Sequence, residues 1–290
     1  MLVSMHRLFL AVFALSVAAH AEPDYGHNAS AGKTLQIGDA KIYYEVYGHG
    51  PKVVLLHGGG FGYIDEFSGI IPALSKSRTV IAVGLRGHGK SELGKRPLTY
   101  QLLADDVVAI VKQLGPEPVD LVGFSSGAIT ALVVTTQHPE LVRSLVAVAG
   151  VLGAYGLTDD SLEATRGDLD AKEADVEKNL PPPVLARKRL NPDPGAFGRV
   201  ARELHRANSV PLIVSKDEVR SIQVPTLVAA GDRDGFGRLE HLVDTFRLLN
   251  KGQIAVIPGC GHVVFRCNPD LMLLLVQQFL AENGGPVAPK

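Results

Sequence analysis

Apolar residues fall in short blocks along this chain, and the blocks alternate between two periods. Thr34-Leu35-Gln36-Ile37, then Ala40 to Tyr47 beyond the turn Gly38-Asp39, alternate apolar and polar positions and predict an antiparallel hairpin. Val53 to Leu56, Thr79 to Val83, Val119 to Val122, Ser144 to Ala149, Pro225 to Ala230 and Gln253 to Ile257 are mostly continuous apolar runs. Such runs predict strands covered on both faces. Between them the period lengthens to that of a helix. Leu102, Leu103, Val107, Ile110 and Leu114 recur ahead of Gly115, Ala128 to Val134 stop by Pro139, and Leu239 to Leu249 and Pro269 to Ala281 follow later. Strand and helix in alternation predict a parallel, doubly wound α/β sheet. Asp105 and Asp106 are expected to lie on the solvated face of their helix.

The alternation breaks from Val151 to about Val210. An acidic stretch, Asp168 to Glu177, gives way there to Pro181-Pro182-Pro183 and Arg187-Lys188-Arg189. A structureless loop of that length is rare in a compact domain, so a small helical cap is expected at the strand ends, where it gates a pocket.

The candidate chemistry collects where predicted strands end. Gly123-Phe124-Ser125-Ser126-Gly127 is a G-x-S-x-G turn between a strand and a helix, with glycines two positions either side of Ser125. Such a turn lifts a serine hydroxyl off the sheet edge, and Cβ atoms at those two places would strike the strand and helix. Ser126 fails the same steric rule, because Phe124 and Ala128 stand two places away. Its amide is instead aimed at the same space. His57-Gly58-Gly59-Gly60 follows another buried strand, Gly231-Asp232-Arg233-Asp234 a third and Cys260-Gly261-His262 a fourth. In an open α/β sheet this edge is the ligand-binding edge. His57, His138, His205 and His241 lack matched partners and are expected to be structural or exposed. Gly84 to Ser91 lacks the spacing of a phosphate-binding loop.

Composition adds limits. The chain has 290 residues, 46% of them apolar, and a net charge of −1, which allows a large core and gives no electrostatic reason to expect nucleic acid. Arg7, the apolar run Leu8 to Ala19 and the small-x-small site Ala19-His20-Ala21 predict a signal peptide over residues 1–21. Export to the periplasm or the medium follows, with Glu22 as the mature N-terminus, residues 22–33 as a polar extension and no stable membrane anchor. Cys260 and Cys267 are the only cysteines. They are either a disulfide or two thiols, and with one intervening histidine they fall short of a zinc set. No cofactor is expected.

From about Lys41 to Ala281 the chain resembles the α/β-hydrolase superfamily, in its compact branch with a cap after the sixth strand. Leu55-Leu56-His57-Gly58-Gly59, Arg86-Gly87-His88-Gly89-Lys90-Ser91, the Ser125 turn, Pro225-Thr226-Leu227 with Gly231 to Asp234, and Gly261-His262 carry the likeness. It implies a mostly parallel eight-stranded sheet over 34–290 with helices on both faces and the cap at about 151–210. It also implies a Ser125-His262-Asp234 triad, with Asp232 as second choice for the acid, and an oxyanion hole of Ser126 with Gly59 or Gly60. The activity implied is hydrolysis of a small carboxylic ester, thioester or lactone through an acyl-enzyme. Carbon-carbon bond hydrolysis or perhydrolysis on the same triad, and a non-enzymatic receptor of the same fold, are the alternatives. Gly84 departs from the pattern, since relatives often carry an acid there.

Overall fold

A computed structural model describes residues 24–166, 180–193 and 195–285. The expected signal peptide and the acidic stretch at 168–177 lie outside them. Eight strands form one sheet in the order β1-β2-β4-β3-β5-β6-β7-β8. They are β1 (Gly32–Ile37), β2 (Ala40–Tyr47), β3 (Lys52–Leu56), β4 (Thr79–Val83), β5 (Val119–Phe124), β6 (Val142–Val148), β7 (Thr226–Gly231) and β8 (Gly252–Ile257). β2 pairs antiparallel with both β1 and β4, and every later pairing is parallel. All the predicted strands are present, with ends displaced by at most two residues.

Why the central strands read as unbroken apolar runs is visible in the core. Val54 and Leu56 of β3 enter one apolar cluster, whereas Val53 and Leu55 enter a second on the opposite face. The first face is covered by α2 (Tyr100–Gln113), α3 (Ser126–Gln137) and α8 (Leu239–Leu248), through residues such as Leu103, Val107, Leu132 and Leu242. The second lies under α1 (Ile71–Leu74) and α10 (Pro269–Asn283), through Leu74, Met272, Val276 and Phe279. Fully burying one such side chain contributes about 1.5–3 kcal/mol. Among the described residues, no helix is long and apolar enough to cross a membrane.

Between β6 and β7 come α4 (Asp159–Arg166), α5 (Pro182–Arg189), α6 (Ala196–Asn208) and the short α7 (Lys216–Ser221). Helices therefore replace the strand-and-helix alternation here, as expected for a cap. A last short helix, α9 (Val264–Cys267), precedes α10.

One polar expectation is overturned. Asp105 is exposed, but Asp106 is buried and its two oxygens each sit 2.7 Å from the Arg86 guanidinium. Arg86 is itself completely buried, and Asp39, Leu93 and Ile37 accept its remaining hydrogen bonds. Breaking such a pair by removing one partner costs about 3–5 kcal/mol, so the pair is structural. The end of the extension is also anchored: buried Glu45 accepts from the amides of Gly26 and Asn28 and from the hydroxyls of Tyr43 and Tyr47.

Candidate active site

The chain leaves β4 and returns on the far side of β3 to form β5, so strand order reverses at the β3/β5 boundary. A crevice opens at such a point beyond the carboxyl ends of the strands. The glycine loop after β3 and Ser125 after β5 stand on its two sides.

Ser125 has φ +52° and ψ −120°, a conformation costly for any residue with a Cβ. The surroundings impose it. Its amide donates to the Val148 carbonyl (2.8 Å), and its own carbonyl accepts from Ala128 (2.9 Å) and Ile129 (3.0 Å). A Cβ on Gly123 would stand 2.4 Å from the Gly127 carbonyl oxygen, and one on Gly127 would stand 2.0 Å from that of Leu56. Both glycines are therefore sterically required.

His262, in the loop after β8, places Nε2 3.0 Å from Ser125 Oγ. Its Nδ1 lies 2.9 and 3.0 Å from the two oxygens of Asp234. With the carboxylate as acceptor, Nδ1 carries the proton and Nε2 presents its lone pair to the serine hydroxyl. The Asp234 side chain is only 4% exposed. Burial pushes its pKa up, but hydrogen bonding and charge from His262, with the amides of Phe236 (2.8 Å) and Gly237 (3.2 Å), outweigh this. The carboxyl is held below its usual range. Asp232, the second choice, is exposed and stands outside this chain of bonds. Nor is Asp234 the cap of the next helix: α8 begins at Leu239, and its N-cap residue is Arg238, which makes no side-chain capping bond.

Two further contacts fix the imidazole. The rings of Phe124 and Phe236 flank it, with centroids at 5.2 and 5.0 Å. Cys260 and Cys267, whose pairing the sequence leaves open, are bonded, with Cα atoms 5.8 Å apart. The Arg233 amide donates to the Cys260 carbonyl at 2.9 Å, which ties the loop of the acid to the loop of the histidine.

In the glycine loop, Gly58 is fixed at both ends. Its amide donates to buried Glu66 at 2.9 Å, and its carbonyl accepts from His57 Nδ1 at 2.6 Å. Burial pushes the Glu66 carboxyl up, partly opposed by that amide. The His57 Nε2 in turn accepts from the Leu85 amide at 2.9 Å, so this histidine is structural, as expected. Gly59, Gly60 and Ser126 line the crevice with Ser125 and His262. Among the described residues, their amides donate to no protein acceptor. Gly60 has φ +64°, in the left-handed region that favours glycine.

The cavity holds about 520 Å³. Phe61 and Phe236 supply apolar wall, and α6 roofs it with Ala201, Leu204, His205 and Asn208, which share one helical face. The sequence reading expected a cap here but did not name these four residues, although the spacing i, i+3, i+4, i+7 was present. It also missed Tyr100, the first residue of α2, for which no sequence signal existed.

Residues 52–213, more than half the chain, match the family model described as alpha/beta hydrolase fold. The chain belongs to the α/β-hydrolase family. Within that family it is 26% identical over 268 residues to a pyrrolizixenacetamide deacetylase of Xenorhabdus hominickii, covering 87% of this chain and 99% of the relative. It is 29% identical over 273 residues to a 2-hydroxy-6-oxo-2,4-heptadienoate hydrolase of Pseudomonas putida, covering 88% and 98%. The α/β-hydrolase fold is shared with a serine hydrolase involved in carbazole degradation at TM-score 0.71 and 24% identity, covering 87% and 99%.

Proposed function

We propose that this α/β-hydrolase cleaves a small carboxylic ester, thioester or lactone through an acyl-enzyme on Ser125. The observation that carries the proposal is the continuous chain from Asp234 through His262 to Ser125 Oγ, with contacts of 2.9 and 3.0 Å, opening into the cavity. His262 Nε2 takes the hydroxyl proton as Ser125 Oγ bonds to the carbonyl carbon. The same nitrogen returns that proton to the leaving oxygen or sulfur when the tetrahedral intermediate collapses. Water, deprotonated by His262, then adds to the acyl-enzyme and releases the acid. Asp234 keeps the proton on Nδ1 and stabilises the imidazolium formed in each half-reaction.

The amides of Ser126 and of Gly59 or Gly60 carry the oxyanion, each donor contributing about 3 kcal/mol. Gly58 is not a donor, because Glu66 holds its amide. Serine at position 125 disfavours the chemistry of relatives with an aspartate nucleophile.

Carbon-carbon bond hydrolysis is the second reading, supported by the likeness to the heptadienoate hydrolase. That relative's named substrate is a carboxylate, whereas the described wall of this cavity carries the carboxylate of Asp160. Like charge favours an uncharged ester over that anion.

The test is turnover of p-nitrophenyl acetate and butyrate. Ser125→Ala is expected to lower kcat by at least about 10⁴-fold with the fold retained by circular dichroism. Turnover that survives the substitution sinks the nucleophile, and a wild-type protein that binds such esters without cleaving them is a receptor.

A further inference from the structure

The cavity roof contains one polar side chain whose orientation is set from behind. Asn208 closes the last turn of α6 and lines the cavity with Ser125 and His262. Its Oδ1 lies 2.7 Å from the hydroxyl of Tyr100, and that hydroxyl lies 3.2 Å from Ser126 Oγ. A phenol has one proton and an amide oxygen can only accept, so the Tyr100 proton goes to Asn208 and Ser126 donates to Tyr100. Tyr100 is only 3% exposed. Burial pushes its pKa up to about 12, so it stays a donor at every relevant pH.

The consequence falls on the other end of the amide. With Oδ1 held by Tyr100, Nδ2 is left without a protein acceptor among the described residues, on a side chain that faces the cavity. Other hydroxyls there are already engaged: Ser126 with Tyr100, and Ser161 with the Gly235 carbonyl. Asp160 stands at the exposed rim of the cavity, and no hydrogen bond joins its carboxylate to Asn208. A donor fixed in a largely apolar cavity selects the ligand that satisfies it, because a purely apolar ligand displaces its water and leaves it unpaired.

We infer that Asn208 is a specificity-determining residue, which donates from Nδ2 to an oxygen that the substrate carries beyond its scissile ester. The preferred class is therefore a small ester or lactone with an ether, carbonyl or hydroxyl oxygen in its acyl or alkoxy chain. Tyr100 is the positioning residue that holds the amide in register. This inference rests on the hydrolase reading of the same site.

Two isosteric pairs test it. p-Nitrophenyl methoxyacetate against p-nitrophenyl butyrate moves an oxygen into the acyl chain, and 2-methoxyethyl acetate against butyl acetate moves one into the alkoxy chain. For each pair the ratio of kcat/KM in a variant is divided by the ratio in wild type, which cancels intrinsic reactivity. Asn208→Leu is expected to lower that quotient roughly fivefold or more for at least one pair, and the affected pair shows which side the donor serves. Tyr100→Phe, which leaves Asn208 in place but frees its amide to turn, is expected to lower the same quotient less. Covalent labelling of Ser125 by a serine-directed phosphonate shows that each variant is folded and competent. If Asn208→Leu fails to fold, Tyr100→Phe decides alone.

Quotients within twofold of unity for both pairs overturn the Asn208 assignment and leave the hydrolase reading standing. A folded wild type that cleaves none of the four esters and takes no label refutes the hydrolase reading, and this inference falls with it.

Discussion

At the scale of single residues, burial separates the two candidate acids. Asp232 and Asp234 are two positions apart in one turn, yet only Asp234 is enclosed, bonded to His262 and supplied with two amide donors. Asp234→Asn keeps the shape but offers His262 an amide, which favours the wrong imidazole tautomer. Its kcat on p-nitrophenyl butyrate is expected to fall by about 10⁴-fold, while Asp232→Asn stays within about twofold of wild type. The reverse order in steady-state kinetics would move the acid two places along the chain. Gly84, the one departure from the family pattern, also has a residue-scale cause. A Cβ there would stand 2.8 Å from the ring of Tyr63, a side chain that is 1% exposed and fills the space an acid would need.

At the scale of elements, a buried arginine ties the cap to the glycine loop. Arg187 of α5 is buried and donates to the Phe61 carbonyl, directly after Gly59 and Gly60, and to Asp65 at 2.5 Å. Asp65 also accepts from Arg266 of α9 at 3.2 Å, so one carboxylate joins the cap to the element that follows His262. Its neighbour Glu66 holds Gly58. Arg187→Met leaves Asp65 short of a partner and frees the Phe61 carbonyl. kcat/KM is expected to fall about tenfold and thermal stability to fall with it, whereas Arg266→Met, at a half-exposed partner, moves both less. Equal effects of the two substitutions would show that Arg187 has no special hold on the loop.

What the sequence made legible follows the same division. The strands were readable because two-faced burial leaves an unbroken apolar run. The residues of the site were readable because each stands directly after such a run, within a glycine-bearing turn. Arg86 with Asp106, and Glu66 with Gly58, were not, because each pairing joins different elements and leaves no local period. Glu45 was within reach. Tyr43, Glu45 and Tyr47 alternate on one face of β2, and two phenols beside a carboxylate are a readable sign of a satisfied buried acid.

At the scale of the molecule, buried histidines set how the fold meets acid. His57, His88 and His241 are all nearly or fully buried, and burial is the main cause that lowers the pKa of each. His88 and His241 fall to about 4, and His57 lies well below its ordinary value of 6.5. Protonation also breaks bonds, since Nε2 of His57 and Nε2 of His241 accept from the amides of Leu85 and Leu152. Nearby cations add to the effect, Arg187 beside His57 and His88 and Lys216 beside His241, with Asp244 opposing at the last. The sign is then fixed. Between pH 6.5 and 4 the unfolded chain binds protons that the folded chain refuses, so stability is complete above about 6.5 and falls as pH drops toward 4. Each of His88 and His241 contributes at most about 3 kcal/mol to that loss. Glu66 and Asp106 oppose it, because burial raises their carboxyls and protonation relieves that cost. Asp234 acts lower still: its depressed carboxyl contributes stability that is lost only as pH falls below the ordinary aspartate range. Thermal unfolding followed from pH 7.5 to 4.5 is therefore expected to show Tm falling from about pH 6.5, well before the exposed carboxylates titrate, and His241→Gln is expected to flatten the slope. A Tm that holds level down to pH 4.5 would mean that these imidazoles accept protons without opening the fold.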